Sequence, residues 1–113
     1  MVKRIYDTYG HKTASIAELA HEIEESVGIE MQAHEGLYAG VTYRYRGGFS
    51  DEIILKKRHE DDEKNVEFAL LIHVANVSGK NADKMSKSKY VREKLLLIPG
   101  MYFISQRIDE DPN

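Results

Sequence analysis

The 113-residue chain predicts an α+β domain, one mainly antiparallel sheet of four to five strands with two helices packed on it. Three observations lead there. Residues 15–27 and 82–96 each repeat apolar side chains at helical spacing. Between and after them, short runs alternate apolar and polar residues with period two. The composition, 42% hydrophobic and 31% charged, is that of an ordinary soluble domain, and the length suits a single one spanning 1–113 with its own core.

Lys3 to Tyr9 reads as either a short strand or a loose arm. Ser15-Ile16-Ala17-Glu18 is a capping box, with Ser15 as N-cap and Glu18 at N3. Ile16, Leu19, Ala20, Ile23 and Val27 then share one face, and Gly28 sits where a helix ends. Ile29 and Met31 alternate with Glu30 and Gln32, and a turn follows at His34-Glu35-Gly36. Val41, Tyr43 and Tyr45 alternate with Thr42, Arg44 and Arg46, the pattern of a half-buried strand. Gly47-Gly48 marks a hairpin turn into a strand over Glu52 to Arg58. A polar turn, acidic at Glu60, Asp61, Asp62 and Glu63, leads to Val66–Ala75. That run is apolar almost throughout and is the best candidate for a central strand covered on both faces. The second helix, with Asn81 a candidate cap, points Met85, Val91 or Arg92, and Leu95 inward. It leaves Lys80, Lys84, Lys87, Lys89 and Lys94 outside. Ile98-Pro99-Gly100 ends it. Met101 to Ile108 reads as a last strand, and 109–113 as a frayed acidic tail.

Composition narrows the function. A net charge of −3 does not favour general nucleic-acid binding. Without cysteine there is neither a disulfide framework nor a thiolate metal site. The N-terminus has no apolar signal-peptide core, and no apolar run is long enough to span a bilayer, so a cytoplasmic location is expected. None of the five histidines has a ligand spacing, and no cofactor or metal is expected. His73, inside the central strand, reads as a hydrogen-bonded sheet residue. Nucleophile-elbow and phosphate-loop motifs are absent. A metal-independent hydrolase remains as an alternative. It would draw on His34 or His59 as base, with Glu52, Arg44 and Tyr43 nearby.

The charge layout is the strongest functional signal. Residues 15–27 carry four glutamates and no lysine or arginine. Glu18, Glu22 and Glu25 fall opposite the apolar face. Glu18 suits the helix dipole, whereas Glu24 and Glu25 lie near the negative end and call for relief by a cation, such as one from the second helix. A one-sign face on a small domain suggests a charged partner. A second reading uses Tyr38, Tyr43, Tyr45, Arg44 and Arg46 as an aromatic and basic platform for single-stranded nucleic acid. Alternation opposes it, because Tyr43 and Tyr45 share the face of Val41.

Taken together, IAELAHEIEESVGI over 16–29, His34 to Gly40, Tyr43-Arg44 and Glu52 to Leu55 resemble small bacterial immunity proteins encoded beside polymorphic toxins, including those of contact-dependent growth inhibition. Leu95 to Ile104, with Pro99-Gly100 before a strand, is similar too. The resemblance implies a non-enzymatic protein that binds one cognate toxin domain, often a nuclease, and blocks its active site or an exosite. The charge pattern fits this expectation, since nuclease clefts are basic and an acidic surface accelerates encounter with them. The expected partner-binding residues are Glu18, Glu22, Glu25, Glu60, Asp61, Asp62 and Glu63, with Tyr43 and Arg44.

Overall fold

In the computed structural model, which describes residues 1–12, 15–36 and 40–112, six strands make one antiparallel sheet. In chain order the elements begin with β1 (Val2–His11), then α1 (Ile16–Ile23), which runs on into a π-helical turn (Glu24–Gly28). β2 (Gln32–Gly36), β3 (Gly40–Tyr45), β4 (Glu52–Lys57) and β5 (Leu70–Asn76) follow, then α2 (Asn81–Leu95) and β6 (Met101–Asp111). Across the sheet the order is β2-β3-β4-β5-β1-β6. β2 to β5 form a meander. β1 lies between β5 and β6, antiparallel to both, so α2 carries the chain over β1. The α+β class with two helices is as the sequence predicts, but the strands number six rather than four to five.

Alternation decides what is buried. Tyr9 on β1, Ile53 and Leu55 on β4, and Leu70, Ile72 and Val74 on β5 point to one side. There they meet Leu19, Ala20, Ile23 and Val27 from α1 and its turn, and Val91 and Leu95 from α2. The opposite residues, among them Tyr6, Thr8, Ile54, His73 and Ala75, form a face with no helix over it among the described residues. β5 is therefore central in the sheet, but covered by helices on one face rather than two. Its paired length begins at Leu70, not Val66.

Other corrections have local causes. Lys3 to Tyr9 is no loose arm; it belongs to a ten-residue strand inside the sheet. His34-Glu35-Gly36 is not a turn but part of β2, held by pairing with β3. Residues 109–111 are not a frayed tail, because Asp111 pairs in register with Val2 and its carboxylate lies 2.6 Å from Arg4. On α2 the inward face is turned by about one residue from the expected one. Lys84 and Ser88 are buried with Val91 and Leu95, while Met85 is exposed. The Lys84 ammonium survives burial because it donates to the Lys3 carbonyl at 2.6 Å. Asn81 does not cap the helix. Its side chain accepts from the Lys3 N–H and donates to the Met1 carbonyl, tying α2 to β1.

Candidate functional site

α1 forms where the capping signal places it. Ser15 Oγ accepts the Glu18 N–H at 3.3 Å, and the helix continues to a Gly28 with φ +86. With Leu19, Ala20 and Ile23 inward, Glu18, Glu22 and Glu25 project into solvent. The two glutamates at the unfavourable end find relief locally rather than from α2. Glu25 lies 2.9 Å from His21 Nε2, and Glu24 accepts the Met31 N–H at 2.9 Å. Glu18 and Glu22 make no ion pair with any cation among the described residues.

Beside these carboxylates the chain leaves α2 through Leu96 and Leu97, which are 45% and 71% exposed. A shallow groove of about 270 Å³ runs between the two, lined by Glu22, Glu25, Ser26, Leu97, Ile98 and Pro99. Ser26 Oγ donates to the Lys94 carbonyl and so holds the end of α2 against the π-helical turn. The groove thus has a fixed floor, an acidic rim and an apolar lip. Sequence reasoning missed the lip. The available signal was Leu95-Leu96-Leu97-Ile98, more apolar residues in a row than one buried stripe can absorb.

The other predicted acidic segment lies elsewhere, at the β4–β5 end of the sheet. Arg58 reaches into it, donating to the carbonyls of His59 at 3.0 Å and Asp62 at 2.8 Å, and Asp62 accepts the Lys64 N–H. Glu60 and Asp61 share a hollow with Lys56, Lys57 and Arg58. Glu60 and Asp61 therefore sit beside cations, unlike the α1 face.

Tyr43 and Arg44 fall on opposite faces of β3. Tyr43 and Tyr45 pack against the core, and the Tyr45 hydroxyl accepts the Phe49 N–H. Arg46 binds Glu52 Oε2 at 2.8 Å, with Arg44 Nε 3.7 Å from the same oxygen. On the same uncovered face, Arg4 meets Asp111, while Arg107 meets Asp109 and stacks 4.5 Å over the Tyr6 ring. These arginines are matched within the molecule, and the β3 tyrosines are turned away from them. Tyr38 lies outside the described residues.

His34, Arg44 and Arg46 line a common hollow of about 460 Å³, while Glu52 beside it serves as counter-ion to both arginines. Among the described residues no three His, Asp or Glu side chains converge as a metal-ligand set, and no helix is long and apolar enough to cross a membrane. No family model matches the chain, and no curated protein matches it.

Proposed function

We propose that this chain is an immunity-type binding protein. It neutralises a cognate toxin domain, a nuclease, in the cytoplasm by laying the outer face of α1 and the adjoining Leu96–Leu97 corner against it. The observation that carries this reading is the juxtaposition of Glu22, one of the two unmatched carboxylates on α1, with the exposed Leu97 lip. Apolar centres rimmed by charge are the anatomy of protein interfaces. Negative potential steers such a surface to a basic, phosphate-binding cleft, and occlusion needs no catalytic group. The matched arginines and inward tyrosines make nucleic-acid binding by the sheet the weaker reading.

Co-expression with the C-terminal domain encoded by the adjacent upstream gene, followed by co-purification and a growth assay, tests the proposal. A complex that restores growth is expected. Combined Glu18→Lys, Glu22→Lys and Glu25→Lys substitution is expected to slow association by about tenfold or more and to flatten its salt dependence. Leu97→Asp is expected to speed dissociation. Unchanged binding and salt dependence in the charge-reversed chain would refute the α1 face, and absence of any complex would refute the function.

A further inference from the structure

The two edges of the sheet differ. β2 offers five residues, whereas β6 offers eleven, with no strand beside it among the described residues. Long edges are ordinarily blunted by Pro, Lys or bulges, since their free N–H and C=O groups pair with any strand that fits. β6 carries charges at Arg107, Asp109, Glu110 and Asp111, and it has an irregularity opposite Thr8/Tyr9 that shifts the register at Ile104. Beyond it, Ser105 to Asp111 pairs with β1 without interruption and contains neither Pro nor Lys.

The geometry points to this edge as a self-association surface, taking a second copy of the same chain in antiparallel pairing about a two-fold axis through Ile108. Two facts select that occupant and that register. Ile108 is the midpoint of the uninterrupted stretch 105–111, so only this axis uses all of it. The stretch is also self-complementary there: Arg107 falls opposite the second copy's Asp109, Gln106 opposite its Glu110, and Ser105 opposite its Asp111. No like charges are directly opposed. Moving the axis by one residue would set Arg107 against itself or Asp109 against itself, a repulsion that cross-strand neighbours do not tolerate. Lys3 and Arg4 on β1 already lie against Glu110 and Asp111, which lowers the negative charge carried to the seam.

An axis perpendicular to the sheet keeps both helix layers on one side, so Ile108 meets its own copy beneath the two α2 helices. Ile108 and Met85 are 38% and 41% exposed there, beside a hollow of about 370 Å³ between α2 and β6 that the second copy would cover. A single strand seam is a small interface, so the expected dimer is reversible. It leaves α1 free, since α1 packs on the β4 side of the sheet.

Sedimentation over a dilution series is expected to show a monomer–dimer equilibrium. Arg107→Asp and Asp109→Arg each place like charges across the seam, and each alone is expected to stay monomeric with an unchanged circular-dichroism spectrum. Mixed in equal amounts, they restore the match and are expected to form a mixed dimer. Should either variant misfold, Ile108→Cys decides: in a chain without cysteine it is expected to oxidise to a covalent dimer, with directly opposed residues meeting disulfide geometry. A wild-type chain that remains monomeric throughout overturns the proposal. So do folded single variants that dimerise like wild type, a mixture that stays monomeric, or an Ile108→Cys chain that does not cross-link.

Discussion

Asp7 shows how a polar residue can anchor a helix to a sheet. Its side chain is fully buried, yet Ser88 donates to one oxygen and Arg92 lies 3.4 Å from the other. Gln106 on β6 then donates to Ser88, so one carboxylate links β1, α2 and β6. Replacing Asp7 by Ala strands Ser88 and Arg92, and is expected to lower unfolding free energy by about 2–3 kcal/mol in urea titrations. Next to it, burial and the Asp7 charge push the Tyr9 phenol up to about 12, against the pull of Arg92. His73 lies on the uncovered face of β5, opposite Thr8. Burial first, then the Lys56 charge, hold its pKa below 6.5, with Asp62 acting the other way. The unfolded ring titrates near 6.5, so below that pH the unfolded chain binds more protons and acid favours unfolding. The stability tied to a neutral His73 is intact above pH 6.5 and lost as pH falls through the lower folded value. His73→Gln is therefore expected to flatten the stability profile just below pH 6.5, as read by denaturant midpoints across pH.

At the scale of elements, legibility followed the apolar pattern. α1 announced itself through its cap and stripe, and the cap should be measurable: Ser15→Ala removes the acceptor for the Glu18 N–H and is expected to cost about 1 kcal/mol in thermal or urea unfolding. β3 and β4 were readable because Tyr43, Tyr45, Ile53 and Leu55 alternate inward. α2 was misread by one residue, because Lys84 and Ser88 occupy half its inward face and serve hydrogen bonds instead of apolar packing. β2 escaped notice because all five of its residues are exposed; pairing with β3 makes it a strand, and a single sequence does not display pairing. β1 was ambiguous for a related reason. Its inward positions alternate Ile5, Asp7 and Tyr9, and the acid in the middle breaks the apolar rhythm.

For the whole molecule, the fold class and helix count were open to sequence reasoning, while strand order and the candidate site were only half so. The acidic helix face was legible from spacing alone. The leucine lip that completes it depends on where α2 ends relative to α1, which is a tertiary fact. The basic and aromatic strand looked functional in sequence, because Glu52 could not be seen to lie beside its arginines.

The position of β1 also governs how the chain can assemble. β1 comes first in order among the six strands, yet its neighbours are β5, some sixty to seventy residues later, and β6, with Val2 set opposite Asp111. Contacts of such long sequence separation form late, after their loop-closure entropy has been overcome. The β2–β5 meander can pair strand by strand as it is made, whereas β1 gains its first neighbour only once β5 is made and its second only once β6 follows. Completion of the sheet thus joins its first strand in sequence to its last, and Asp7, bound to Ser88 and Arg92, ties α2 to that seam.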